Sequence, residues 1–70
     1  MAPMTKTWWR GQHLARLRQQ RGLSQAALAQ RMGSHVMSIS KLERNERVPS
    51  VATLQRLANA LGVPLTALLS

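Results

Sequence analysis

The chain is 70 residues long, has no cysteine, and carries a formal net charge of +8 from ten lysine and arginine residues against two acidic ones. A chain of this length forms one domain with one modest core, its 44% apolar content excludes a wholly disordered chain, and the lack of cysteine excludes disulfides and thiolate chemistry. The charge favours nucleic acid as partner over an anionic membrane, because no apolar run is long enough to span a bilayer and the cations are spread over several predicted helices.

The N-terminal segment MAPMTKTWWRG has no hydrophobic periodicity. This predicts a flexible arm over residues 1–9, ahead of a folded domain over residues 10–70. The segment also lacks the apolar core of a secretory signal, so a cytoplasmic location is expected. Trp8 and Trp9 are adjacent and cannot both face the core of a helix. One is expected to pack against the bundle, and the other to cover an edge, contact a partner or lie against the DNA backbone.

The first helix is predicted to run from Gly11 to Gln20, with Leu14 and Leu17 on its inner side. Arg18 lies close to this inner side and needs an anionic partner, for which the chain has only two candidates. Glu43 flanks the buried stripe of the third predicted helix and is the better candidate. An ion pair between Arg18 and Glu43 is therefore predicted to fasten the first helix to the third.

Two short helices joined by a tight turn are predicted between Gln25 and Leu42. Ser24 is a good N-cap for the first of these, which runs to about Met32. The exposed amides at its N-terminus, together with the Gln25 side chain, are suited to hold a phosphate. Gly33 in the turn accepts a positive φ at little cost, and the whole pattern predicts a helix-turn-helix.

The third helix begins after a cap at Ser34 or His35 and is predicted to end near Arg44. With Ile39 and Leu42 buried, helical geometry points a second set of side chains outward: Met37, Ser40, Lys41 and Arg44. Small, apolar and cationic groups without an outward carboxylate suit a DNA major groove. Any surface helix must show polar groups, so this face alone favours DNA only modestly.

Asn45 stands where a left-handed residue is expected, and the loop after it holds Arg47, well placed for a phosphate. Ser50 caps a fourth helix, predicted from Val51 to about Ala60. One stripe of this helix is apolar, and it consists of Val51, Leu54, Leu57, Ala58 and Leu61.

Pro64 opens a final short helix of sequence PLTALLS. This segment is more apolar than one small core can absorb. Part of its surface is therefore predicted to meet another subunit, through Leu65, Leu68 and Leu69.

The stretch from about Leu14 to Leu69 resembles the Xre family of bacterial and phage regulators, the Cro and phage-repressor type of helix-turn-helix. Any one matching feature is weak, but together they are a strong signal. The features are Arg18, the dipeptide Ser24-Gln25, the Leu28-Ala29 pair, Gly33, Glu43 ten residues later, Pro49-Ser50 and Leu61-Gly62-Val63.

The resemblance implies an all-α fold: a compact five-helix bundle of the lambda-repressor-like type that binds operator DNA as a homodimer, with the third helix in the major groove. By position, the base-reading residues of the family fall on Val36, Met37 and Lys41, with Ser40 and Arg44 close by. The resemblance also implies a phosphate clamp at Gln25 and a helix-fastening ion pair between Arg18 and Glu43.

The chain departs from the family pattern at the third helix. His35 stands where the family has a capping Ser or Thr, and Asn45 replaces the usual glycine. Val36 and Met37 replace polar residues that many relatives direct at adenine. Apolar side chains here indicate contact with thymine methyl groups, which leaves Lys41 as the hydrogen-bond donor to guanine.

Two other classes of function are weighed against a repressor of transcription. The first is an antitoxin or adaptor whose main role is to bind a protein partner, for which the segment with Trp8 and Trp9 is the available surface. The second is an enzyme, which is disfavoured because Asp and Cys are absent and the two histidines are 22 residues apart. The sequence predicts no catalytic residue, metal or cofactor.

Overall fold

The computed structural model describes residues 8–69, so residues 1–7 of the predicted arm and residue 70 lie outside the described residues. The elements are four α-helices and one 3-10 helix: α1 Gly11–Gln20, α2 Gln25–Met32, α3 Val36–Glu43, α4 Val51–Leu61 and the 3-10 helix Leu65–Leu68. The all-α prediction is confirmed for residues 8–69. No helix in that range is both long and apolar enough to cross a membrane.

The predicted final short helix is a single turn of 3-10 helix, Leu65–Leu68. Its bonds join residues three apart, from the Ala67 N–H to the Pro64 carbonyl (2.9 Å) and from the Leu69 N–H to the Thr66 carbonyl (3.1 Å). Four residues are too few to establish an α-helical ladder, and the tighter 3-10 pattern is common in such short pieces. The bundle is therefore four α-helices closed by a 3-10 turn.

Serine side chains start two of the helices, as the sequence predicts. Ser24 Oγ accepts from the Ala27 N–H at 3.0 Å at the start of α2, and Ser50 Oγ accepts from the Thr53 N–H at 3.2 Å at the start of α4. At α3 the N-cap position is taken by His35, whose side chain makes no capping hydrogen bond.

Gly33 makes the turn between α2 and α3. Its φ of +66° lies in the left-handed region, which allows the Ser34 N–H to reach the Ala29 carbonyl at 2.8 Å and close the end of α2. The Arg56 guanidinium of α4 donates to the Met32 carbonyl at the same end. The turn of the helix-turn-helix is thus held by its own backbone and by a side chain of α4.

The core is built from one tryptophan and from aliphatic residues, with nothing polar buried among residues 8–69. Its members are Trp9, Leu14, Leu28, Ala29, Met32, Ile39, Leu42, Leu54, Leu57, Ala58, Leu61 and Leu68. Trp9 is only 2% exposed, so it belongs to the folded domain and not to the arm that the sequence predicts over residues 1–9. The ring of Trp8 packs edge-on against it and stays 37% exposed.

Two apolar residues lie elsewhere than the sequence predicts. Val51, expected on the buried stripe of α4, is 75% exposed, because it is the first residue of α4 and the packed part of that helix begins at Leu54. Leu68, expected at a subunit interface, is fully buried because the 3-10 turn folds it into the core of its own chain. Leu69 is exposed and Leu65 is partly buried.

Candidate nucleic-acid interface

The surface of α3 combines exposed apolar groups with cations. Met37 is 57% exposed and Val36 is 47% exposed, both in its first turn. Ser40 and Lys41 are half-buried along the same helix, and Arg44 is exposed at its C-cap. The outward residues at spacings of three and four share one face, which carries no carboxylate.

An ion pair holds α3 against α1. Arg18 Nε donates to Glu43 Oε2 at 2.6 Å and Arg18 Nη2 donates to Glu43 Oε1 at 3.1 Å, which makes the pair bidentate. The side chains are 11% and 7% exposed. Arg18 Nη1 also donates to the Leu23 carbonyl at 2.8 Å, so the pair ties the loop after α1 to the last turn of α3.

Gln25 joins this cluster from the first residue of α2. Its Nε2 donates to Glu43 Oε1 at 2.9 Å, so the side chain is oriented by the same carboxylate that holds Arg18. The first amides of a helix have no partner within it, and Ser24 takes up only that of Ala27 here. The N-terminus of α2 therefore lies beside α3 with donor groups at its start.

The loop after α3 contributes further cations. Arg47 is exposed, and Arg44 pairs with Glu46 at 3.2 Å across two side chains that are about half exposed. Because Glu43 and Glu46 are the chain's only acidic residues and both are engaged, no side-chain carboxylate is left to neutralise Lys41 or Arg47. This charge excess favours an anionic partner at the surface of α3.

A cavity of about 280 Å³ lies between α3, the loop and α4. Hydroxyl groups and two guanidinium groups line it together with apolar residues, and none of the lining residues is acidic. Those with polar side chains are Ser34, Ser38, Arg47, Ser50, Thr53 and Arg56. Donors without a counter-charge suit the oxygen atoms of a phosphate.

Sequence reasoning missed two contacts of α1 and of the residues before it, made by His13 and Trp9. His13 Nε2 lies 2.6 Å from the Ala67 carbonyl of the 3-10 helix, and Trp9 Nε1 donates to the Leu42 carbonyl of α3 at 3.1 Å. No local sequence pattern predicts either hydrogen bond, because each joins residues more than thirty positions apart. Asn45 stands where the resembled family has glycine. This replacement is the one sequence signal that the end of α3 differs from the family pattern.

A family model described as helix-turn-helix, HTH_3, matches residues 14–68. The chain belongs to this helix-turn-helix family. The resemblance to Xre-type regulators drawn from the sequence is thereby confirmed.

Two proteins similar to this chain are named as transcriptional regulators. The HTH-type transcriptional regulator SutR of Escherichia coli (strain K12) is 44% identical over 57 residues, which are 81% of this chain but 32% of SutR. An uncharacterized HTH-type transcriptional regulator of Sinorhizobium fredii, y4dJ, is 47% identical over 53 residues, covering 76% of this chain and 69% of y4dJ. The chain thus spans about a third of one curated relative and just over two thirds of the other.

Among solved structures, the P22 c2 repressor protein in complex with a synthetic operator superposes with a TM-score of 0.80. It is 31% identical, and the match covers 91% of this chain and 97% of that one. The likeness therefore extends over nearly the whole repressor chain in that complex.

Proposed function

We propose that this chain is a transcription regulator that binds double-stranded operator DNA sequence-specifically as a homodimer, with α3 in the major groove, and that it acts as a repressor. The observation that carries the proposal is the exposed face of α3, apolar at its start and cationic towards its end, on a helix-turn-helix held by the Arg18 and Glu43 pair. The P22 c2 repressor, solved with its operator, supports the same mode of binding.

Base reading is assigned to four residues of α3: Val36, Met37, Ser40 and Lys41. The exposed Val36 and Met37 side chains offer apolar contact to thymine methyl groups, and the Lys41 ammonium donates to guanine O6 or N7. Ser40 has a hydroxyl that serves as donor or acceptor for either strand. A site rich in thymine next to a guanine is therefore the expected half-site.

Phosphate contacts are assigned to Gln25 at the start of α2, Arg44 at the C-cap of α3 and Arg47 in the loop after α3. Gln25 acts with the N-terminal amides of α2, and Arg47 acts from the loop beside the cavity between α3 and α4. Such contacts set the position of a protein on the duplex without reading its sequence.

The homodimer is assigned to the C-terminal segment. Leu69 is 39% exposed and Leu65 is partly buried, so these two residues supply the apolar surface, whereas the fully buried Leu68 does not. Two subunits of this kind would bind half-sites about 34 Å apart, one helical turn of DNA. A domain of this size retains only about 3–5 kcal/mol of stability, so dimerisation would add usefully to it.

Selection of bound sequences from a random DNA pool tests the proposal, at about 150 mM salt and with the oligomeric state recorded alongside. An inverted repeat with half-sites about one helical turn apart is the expected result. Failure to enrich any sequence, with binding that vanishes as salt rises, would contradict specific recognition and leave only a basic helical module.

The affinity for the selected site is expected to fall steeply with salt, because each phosphate contact releases condensed counterions. If a dimer neutralises about eight phosphates, the logarithm of the binding constant falls against the logarithm of salt with a slope of roughly −7. Titration of a labelled duplex at several salt concentrations measures the slope. A slope near zero would contradict the phosphate contacts.

The variants Lys41→Ala and Arg47→Ala are expected to weaken DNA binding in different ways. Lys41→Ala should cost about 1–3 kcal/mol at the selected site and little on random DNA, because it removes a base contact. Arg47→Ala should weaken both duplexes alike, because a phosphate contact carries no sequence information. Equal losses on both duplexes for Lys41→Ala would refute its base-reading role.

A further inference from the structure

The α3 helix ends differently from the other three. The left-handed residue that follows α1, α2 and α4 is a glycine, whereas α3 is followed by Asn45, whose φ is +62°. Asn45 is the only residue other than glycine with a positive φ among residues 8–69. A residue with a Cβ costs more than glycine in this conformation. Asparagine tolerates this conformation better than most residues with a Cβ, and its side chain offers a hydrogen-bond acceptor that glycine lacks.

The Asn45 side chain caps a different helix. Its Oδ1 accepts from the Gly11 N–H at 2.7 Å, which is the first amide of α1. Arg10, the N-cap residue of α1, makes no side-chain capping bond of its own. The cap of α1 is thus supplied from the end of α3, across 34 positions of sequence.

Two further contacts join the same two places. Trp9 Nε1 donates to the Leu42 carbonyl at 3.1 Å, and that carbonyl also accepts from the Asn45 N–H at 3.3 Å. Gly11 is buried so closely against the backbone of Leu42 and Glu43 that a Cβ would overlap their carbonyl oxygens. We call these joined residues, Trp9, Gly11, Leu42 and Asn45, the N-terminal clamp.

The clamp acts on the part of α3 that must be held still for base reading. An eight-residue helix is about 12 Å long. If α3 tilts about its C-terminal end, its N-terminal end is displaced in proportion to that length. Lys41 lies one turn before Asn45, and Met37 lies two turns before it. We infer that Asn45 and Trp9 are positioning residues for DNA recognition: through the clamp they set the direction of α3 and hence which bases Met37 and Lys41 reach. This inference rests on the proposed function.

Two substitutions open the clamp while keeping the local shape. Asn45→Gly keeps the left-handed turn and removes the acceptor for Gly11, and Trp9→Phe keeps an aromatic ring in the core and removes the donor to Leu42. Trp8→Phe is the matched control, because Trp8 is the adjacent and partly exposed tryptophan.

The first measurement is amide hydrogen exchange without DNA. In Asn45→Gly the Gly11 amide loses its partner, so its exchange is expected to speed up about tenfold, with a smaller increase at the last turn of α3. Trp8→Phe should leave both unchanged. Unchanged exchange at Gly11 in Asn45→Gly would overturn the inference, because the clamp would then not depend on Asn45.

The second measurement compares binding to the duplex selected by the wild-type protein and to a scrambled duplex of the same composition. Both clamp variants are expected to lose about tenfold in affinity for the selected duplex and less than about twofold for the scrambled one. A purely structural role would lower the folded fraction and weaken both duplexes alike. The melting temperature of each variant is measured to separate the two effects.

The outcomes distinguish the inference from the function on which it rests. If the wild-type protein prefers the selected duplex and the clamp variants keep the same preference, the inference is overturned and the proposed function stands. If the wild-type protein shows no preference for any duplex, the proposed function fails and the inference fails with it.

Discussion

Replacing Glu43 with alanine is expected to lower the free energy of unfolding by about 3–5 kcal/mol, which is as much as a domain of this size usually retains. The reason is that Arg18, 11% exposed, would keep its charge and lose both hydrogen bonds to the carboxylate. Gln25 would lose its acceptor at the same time. Thermal or denaturant unfolding should therefore find the variant largely unfolded at room temperature.

Glu46→Ala is the control for this variant, since it also removes one glutamate from an ion pair with arginine. The Arg44 and Glu46 side chains are 54% and 50% exposed, and a pair so exposed contributes at most about 1 kcal/mol. Its melting temperature should stay close to that of the wild-type protein. Equal stabilities for the two variants would contradict the structural role of the Arg18 and Glu43 pair.

Replacing Gly11 with alanine is expected to destabilise the protein by about 1–3 kcal/mol. Helix propensity predicts the opposite sign, because alanine in a helix is favoured over glycine by about 1 kcal/mol. The clash prevails because the new Cβ would meet backbone atoms of Leu42 and Glu43, which cannot turn aside as a flexible side chain can. The α1 helix would have to move away from α3, and the Asn45 cap would lengthen.

Denaturant unfolding of Gly11→Ala measures this effect, with Gln12→Ala as its control. Gln12 is the next residue of α1 and is exposed, so its replacement by alanine changes helix propensity without a new contact. That control should be within about 0.5 kcal/mol of the wild-type protein. Stabilisation by Gly11→Ala would mean that α1 and α3 are not packed this closely in solution.

Local chemistry explains why most helix boundaries could be predicted. The predicted bounds of α1 and α2 match the observed ones, and α4 extends only one residue further, to Leu61. The starts of α2 and α4 are set by the residues directly before them, Ser24 and Ser50. The predicted final short helix is present as a 3-10 helix, because apolar composition and a leading proline do not set the number of residues available for a helical ladder.

One long-range contact could also be predicted, for a reason peculiar to this composition. The chain has only two acidic residues, so only two side chains could form an ion pair with a partly buried Arg18. The structure forms this pair, and it brings Gln25 to the same carboxylate. Because this chain has only two carboxylate side chains, the partner of Arg18 could be predicted, whereas a chain with many carboxylates would leave the partner open.

The sequence by itself determined the all-α class, the helix-turn-helix, the family and the cationic, apolar outer face of α3. The all-α class, the helix-turn-helix and the outer face of α3 follow from periodicity, caps and composition, which are properties of neighbouring residues. The family follows from the resemblance of its motifs. Only the tertiary structure decided that Trp9 is a core residue, that Leu68 is buried within its own chain, and that Gly11 and Asn45 join α1 to the end of α3. The physical reason is that Trp9, Gly11 and Asn45 meet backbone atoms more than thirty residues away. The burial of Leu68 depends in turn on how the 3-10 helix packs against α4.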